Sequence, residues 1–351
     1  HDPVTRRPPL RDVALLAGVS EPTVSRVLNG KPGVAERTRE RVVAALSELG
    51  FTQIPTPSSD ARQRVGIVTG ELTNPVFPEL VTAISTRLAR HDYVATVAPD
   101  TTELHDERRY AREYLEMGVD GMVFIAGGHA DRSPRTDLYD ELTVQGMPIV
   151  LVNGGPTGLP VPHVWCDETI AAERSIEHLV SLGHRSIGCV SGPNRYLSTA
   201  RFMAGYEQAT RRLNVIDGRV GTIETSFTFE GGRAGATRLL NAGATGIVCA
   251  NDLMAMGAIA AARSLGNAVP EDVSVIGYDG TDFTAMTDPP LTTLRQPFSD
   301  MGDLIADALL SEIAGVHRYR DHYVFAPEIM ARRSAGAAPS QVAGSTPALV
   351  D

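Results

Sequence analysis

Residues 10–30 read Leu10-Arg-Asp-Val-Ala-Leu-Leu-Ala-Gly-Val-Ser-Glu-Pro-Thr-Val-Ser-Arg-Val-Leu-Asn-Gly30. Leu10, Val13, Ala14 and Ala17 fall on one stripe at helical spacing, which predicts a helix over Leu10 to Ala17. Gly18-Val19 breaks it, and Ser20 stands where the N-cap of a second helix belongs. That helix runs from Glu21 to about Asn29, turns Val24, Val27 and Leu28 inward, and stops at Asn29-Gly30. A third spans about Ala35 to Leu49, with Val42, Val43, Leu46 and Leu49 inward and Gly50 as its C-terminal breaker. Two helices joined by a tight glycine turn and closed by a third is the helix-turn-helix plan.

In that plan the second helix lays its outer face in the major groove of DNA. Here the outer set is Glu21, Pro22, Thr23, Ser25, Arg26 and Asn29. The Arg26 guanidinium can donate two hydrogen bonds to guanine O6 and N7, although an isolated arginine there would equally be a solvated helix residue. Ser20, Thr23, Ser25, Asn29 and Thr38 are short enough to hold phosphates. Pro22 is tolerated in a first helical turn but offers the groove only an apolar contact.

The text downstream has another grammar. Residues 53–63 hold Pro55 and Pro57 among small polar residues and read as an extended linker. Short apolar runs then alternate with amphipathic helical stretches. The runs are Arg64 to Val68, Val94 to Ala98, Gly121 to Ile125, Pro148 to Val152, Ser186 to Val190, Ile247 to Ala250 and Val273 to Gly277. Such alternation predicts parallel sheets covered by helices on both faces. The units are too many for one sheet, so two similar lobes are expected. The reading is a headpiece over 1–52, the linker, a core over 64–333 and a disordered tail over 334–351. Within the core the first lobe takes about 64–162 and 292–323, the second about 163–291 and 324–333.

Composition narrows the function classes. The chain has 351 residues, 42 % hydrophobic and 21 % charged, close to an average globular protein. No apolar run approaches the ~20 residues of a membrane span. The net charge is −10, yet residues 1–64 hold ten Lys/Arg against seven Asp/Glu, leaving 22 against 35 for the rest. A cationic head on an acidic body fits a nucleic-acid reader. Cys166, Cys189 and Cys249 read as reduced structural thiols of a cytoplasmic protein. His184, at a helix end, reads as a cap. Gly231-Gly232-Arg233-Ala234-Gly235 lacks the ending of a phosphate loop, and no Gly-x-Ser-x-Gly elbow occurs. No catalytic site, metal site or cofactor is expected.

The wording from Leu10 to Gly30, with Lys31-Pro-Gly-Val, Thr38-Arg-Glu-Arg-Val and Leu46 to Phe51, closely resembles the headpiece of the lac repressor (LacI/GalR) family. The likeness continues in Leu182-Gly-His-Arg-Ser-Ile-Gly, Asn251-Asp-Leu-Met-Ala-Met-Gly-Ala, Val275-Ile-Gly-Tyr-Asp and Pro290-Leu-Thr-Thr-Leu-Arg-Gln-Pro-Phe. Glu71 to Pro78, Phe227 to Gly232 and Asp288 to Thr293 look most like the maltose repressors of high-GC Gram-positive bacteria. The resemblance implies a periplasmic-binding-protein-like core with an effector between two doubly wound lobes. It implies a homodimer on a palindromic double-stranded operator, with no membrane partner, released by a sugar for which maltose or a related α-glucoside is the first choice. Asn251, Asp279 and Gln296 match the family's effector-contacting positions, and Asn153 matches more loosely. Phe77, Trp165 and Phe298 could stack on a pyranose, with core packing as the alternative for Phe77 and Trp165.

Two departures stand out. The family's arginine, four residues before the aromatic of a Gly-aromatic pair (Tyr206 in this chain), is replaced here by Phe202, with Arg201 beside it as the candidate replacement. The linker is about three residues shorter and lacks the leucine of a minor-groove hinge helix, and its prolines oppose helix formation. The rival readings are a transport solute-binding protein of the same core fold and a family member that answers to a co-repressor. Arg26→Ala should cost about 1–3 kcal/mol of sequence-specific affinity. Mobility shifts with operator and scrambled duplexes check this, and unchanged discrimination would remove Arg26 from the base-reading set.

Overall fold

The computed structural model describes residues 10–28, 34–49, 63–99, 107–155, 158–215, 220–319 and 321–339. They form two compact units that divide between Arg62 and Gln63. In the first, helices α1 (Leu10–Ala17), α2 (Glu21–Leu28) and α3 (Glu36–Glu48) enclose Val13, Ala14, Ala17, Val24, Val27, Val42, Ala45 and Leu46. The Arg26 and Leu28 side chains, Asn29 and linker residues 53–62 lie outside the described residues. Leu10 and Leu49, expected inward, are exposed, because each sits at a helix end where the stripe runs past its partners. Gly18 has φ +62°, a left-handed turn that favours glycine. The Arg41 guanidinium donates to the Ala17 and Gly18 carbonyls, satisfying acceptors left open at the end of α1.

The second unit runs β1 (Gln63–Thr69), α4 (Val76–Ala89), β2 (Tyr93–Pro99), α5 (Glu107–Met117), β3 (Gly121–Phe124), α6 (Asp137–Val144), β4 (Ile149–Val152) and β5 (His163–Cys166). It continues through α7 (Glu168–Ser181), β6 (Ile187–Ser191), α8 (Leu197–Arg212), β7 (Thr222–Glu224), α9 (Phe229–Asn241), β8 (Gly246–Cys249), α10 (Asp252–Ser264) and β9 (Ser274–Asp279). Last come β10 (Thr292–Arg295), α11 (Phe298–Ile313), β11 (His322–Phe325) and β12 (Glu328–Met330). The strands build two six-stranded sheets, ordered β11-β5-β4-β3-β1-β2 and β12-β10-β9-β8-β6-β7. All pairs are parallel except β10 with β12.

Both faces of each sheet are covered. In the first lobe Ile67 and Val123 join Leu80, Ile84, Ile305 and Leu309 of α4 and α11. Their strand neighbours Val68 and Met122 join Tyr114, Leu138 and Tyr139 of α5 and α6. That is the period-two split a doubly covered strand requires.

The chain crosses between lobes after Cys166, after Arg295 and after Phe325, a few residues beyond the boundaries drawn from sequence. Each crossing strand completes its sheet before leaving it, and four-residue strands such as His163–Cys166 are too short to show a period. Polar composition hid β7 (Thr-Ile-Glu) and β10 (Thr-Thr-Leu-Arg), neither of which offers an apolar run. Of the tail, residues 334–339 are ordered. Ser334 is fully buried, its hydroxyl accepts from the Thr292 N–H at 2.8 Å, and the Ala338 N–H donates to the Leu182 carbonyl at 2.8 Å. Small residues held by backbone bonds leave no periodic signature; residues 340–351 lie outside the described residues. His184 caps nothing with its ring: Nδ1 meets Thr245 Oγ1 at 3.0 Å and Nε2 meets Ser274 Oγ at 2.9 Å, fastening three segments.

Helices α9 and α10 meet through glycine. A Cβ on Gly257 would sit 2.0 Å from the Phe229 carbonyl oxygen, and one on Gly232 would sit 2.1 Å from that of Met254. Gly257→Ala must push two backbones apart and should cost about 1–3 kcal/mol. A thermal melt should show a loss of roughly 2–4 °C per kcal/mol.

Candidate nucleic-acid interface and ligand cleft

Helix α2 starts at Ser20, whose carbonyl accepts the N–H groups of Thr23 (2.9 Å) and Val24 (3.1 Å). Its hydroxyl lies 2.8 Å from that of Thr23. Glu21 and Pro22 are exposed, while Thr23, Ser25 and, on α3, Thr38 are half-buried. Val24 and Val27 are buried in the headpiece core, on the side of α2 away from the exposed Glu21 and Pro22.

The second unit's site follows from its topology. From the β2 and β7 edges both sheets have the order 2-1-3-4-5, and such sheets bind ligands beyond the carboxyl ends of their strands where the winding reverses. In the first lobe that point lies beyond Thr69 and Phe124, in the second beyond Ser191 and Cys249. A glycine follows the first strand of each lobe, and each supports a phenylalanine. A Cβ on Gly70 would lie 2.4 Å from the Phe77 ring, and one on Gly192 would lie 2.0 Å from that of Phe227. Tyr196 joins Phe227 at a centroid distance of 5.9 Å.

Polar groups gather at the neighbouring strand ends. Asn251 caps α10 through Oδ1, which accepts from the Met254 N–H at 2.8 Å, while Nδ2 faces the Phe227 carbonyl at 3.4 Å. Asp279, at φ +119°, accepts from Gln296 Nε2 at 2.9 Å. Asp252 accepts from the Thr293 hydroxyl at 2.6 Å and the Gly280 N–H at 2.8 Å. Arg201 reaches across the lobes: Nε donates to Glu168 at 2.6 Å, Nη2 donates to the Asn153 carbonyl at 3.0 Å, and the guanidinium lies 5.5 Å from the Trp165 ring centroid. Asn153, at φ +66°, donates through Nδ2 to the Ile125 carbonyl at 3.0 Å. Phe298 belongs to the first lobe's core, and Phe77 packs against the same cluster.

Burial raises the carboxyls of Asp252, Asp279, Glu168 and Glu79 above their ordinary range. For Asp279 the second cause is repulsion by Asp252, and for Glu168 the Arg201 bonds pull the other way. The hydroxyls of Thr69, Thr199 and Thr281 are buried without a protein partner; Thr69 ends β1 and Thr281 lies just beyond β9. Among the described residues no group of three or more His, Cys, Asp or Glu is placed to hold a metal.

Sequence reasoning missed Glu168, Asp252, Tyr196 and the pairing of Gly192 with Phe227. The available signal was internal repetition: an apolar strand ending in glycine opens each lobe, and the residue after Asn251 is an acid.

A helix-turn-helix unit joined to a two-lobed α/β body defines a regulator that reads DNA and answers to a ligand. Residues 9–53 match the family of bacterial regulatory proteins, lacI family, and residues 176–335 match the periplasmic binding protein-like domain. The transcriptional regulator MalR of Streptomyces coelicolor is 40 % identical over 338 residues, 95 % of this chain and 98 % of the relative. The transcriptional repressor CytR of Escherichia coli is 31 % identical over 94 % of this chain and 97 % of its own length. Among solved structures, the CelR–cellobiose complex superposes with TM-score 0.69 at 29 % identity over 93 % of this chain and all of that one. The lac repressor dimer on operator gives 0.69 at 26 % over 95 % of this chain and all of that one. The chain belongs to the lacI family and is a ligand-responsive transcriptional repressor. No helix among the described residues is long and apolar enough to cross a membrane.

The raised carboxyls carry a pH signature. In the unfolded chain Asp252 titrates near 4, whereas in the folded protein it holds its proton to higher pH. The folded state thus binds more protons, and stability falls as pH rises above about 4. Asp252→Asn should reduce the drop in melting temperature between about pH 5 and pH 8. A parallel pair of melts checks this, and equal slopes would contradict it.

Proposed function

We propose that this protein represses carbohydrate-utilisation genes as a homodimer on a palindromic operator and releases it when maltose or a related α-glucoside fills the cleft. The carrying observation is the pair of glycine-backed phenylalanines, one per lobe, with Asn251, Asp279 and Gln296 beside them. Aromatic faces wall the apolar sides of a sugar ring while amides and carboxyls meet its rim. The 40 % identity with MalR of Streptomyces coelicolor supports the choice of sugar. We assign Asn153, Trp165, Arg201 and Phe77 to the inter-lobe side of the site and Phe298 to its support from the core. On the DNA side we assign phosphate contacts to Ser20, Thr23, Ser25, Asn29 and Thr38 and base contacts to Arg26 and Pro22, with Glu21 at the rim.

Release requires the sugar to favour one arrangement of the lobes, by about 1–3 kcal/mol in typical cases. The two headpieces of a dimer then lose their joint register on half-sites set by its two-fold axis. Action on chromosomal DNA places the protein in the cytoplasm.

A mobility-shift titration with maltose, maltotriose, cellobiose and ribose tests the reading. Maltose or maltotriose should release the operator, and Phe227→Ala should raise the required concentration about tenfold, or ~1.4 kcal/mol. Release by ribose or cellobiose alone would overturn the sugar, and no release by any of them would overturn the sugar class.

A further inference from the structure

The segment between β3 and α6 is tied to the first lobe by buried groups that the ligand cleft does not use. Glu107 accepts the Gly128 N–H at 3.1 Å and the Tyr139 hydroxyl at 2.7 Å, and that hydroxyl accepts the His129 N–H at 3.2 Å. His129 Nε2 lies 2.7 Å from the Val152 carbonyl. His129 is fully buried, and burial lowers its pKa to about 4, so the ring is neutral and Nε2–H donates. Gly127 has φ +150°, and a Cβ there would lie 2.1 Å from Glu107 Oε2. The segment is therefore fixed to its own lobe.

Its far end touches the other lobe. The Arg132 N–H donates to the Arg195 carbonyl at 2.7 Å, Asp131 forms an isolated antiparallel bridge with Tyr196, and Arg132 Nη1 donates to Asn194 Oδ1 at 3.0 Å. Asn194 is held in turn by its N–H on Glu224 Oε1 at 3.0 Å. These groups are at the surface, so opening exposes little apolar area and loses about one net hydrogen bond each.

Position matters as much as strength. Strand β4 separates β3 from the crossing strand β5, and β9 and β8 separate β6 from β10. At 4.7–4.9 Å per strand the contact stands roughly 10–14 Å from the crossings. A bond at that distance resists rotation about the crossings far better than one beside them.

We propose that Arg132 and Asn194 form an inter-lobe latch, with residues 127–135 as its rigid arm, that holds the cleft closed in the absence of ligand and slows ligand exchange. The exchange part rests on the sugar reading above; the closure part does not. The full-length protein can carry one spin label per lobe, at Val144→Cys and Leu265→Cys, both exposed positions, since the three native cysteines are buried. Labelled chains are diluted with unlabelled ones so that distances within one protomer are read. Without sugar, the unsubstituted latch should give one narrow short distance. Arg132→Ala and Asn194→Ala, which remove the same bond from opposite sides, should each move weight to longer distances. In stopped flow with maltose, both should speed dissociation ~2–10-fold, the change expected for one net hydrogen bond. Distance distributions that superpose on the parent for both variants would overturn the latch. A widened distance with no maltose binding by the parent would uphold closure and reject the sugar.

Discussion

A parallel sheet covered by helices on both faces has no room for polar side chains except at its strand ends. Thr69, Ser191, Asn251 and Asp279 obey that limit, standing at or just beyond the carboxyl ends of strands. Ile67, Val68, Met122 and Val123 alternate into two apolar layers, and the first polar or unbacked positions come at Thr69-Gly70, Ser191-Gly192 and Asn251. Three crossings join the sheets at one edge and leave these ends to share a cleft.

The same limit explains the unusual electrostatics. Carboxyls set at strand ends between two lobes lose water without losing charge, unless a partner or a proton compensates. Glu168 has Arg201. Asp252 has a hydroxyl and a backbone N–H, and Asp279 has the Gln296 amide. Buried charge of this kind seldom adds net stability. Between the lobes the direct ties are polar: Arg201 on the Asn153 carbonyl and Arg132 on Asn194 and the Arg195 carbonyl. A structure so balanced can be biased by a ligand of modest differential affinity.

Much of this was legible in the linear text. The headpiece helices could be read almost to the residue, because three amphipathic stripes and three glycine stops leave one arrangement. Strands β1, β3, β4, β6, β8 and β9 announced themselves as apolar runs buried on both faces. Asn251, Asp279 and Gln296 were singled out because their surrounding words match a family. Less was legible where polar residues interrupt a short strand or small residues carry the structure: β5, β10 and residues 334–339 are held by backbone pairing without an apolar run to mark them.

The order of residues alone determined the class of each domain, the apolar stripes of the headpiece helices and the main apolar strands of the core, since periodicity and turn chemistry are local properties. Only the tertiary structure decided that Phe227 lies on Gly192, that Glu168 pairs with Arg201 thirty-three positions away, that His184 is a fastener and that Arg132 meets Asn194. Such contacts depend on how two sheets face each other across three crossings, a distance relation that no window of sequence contains.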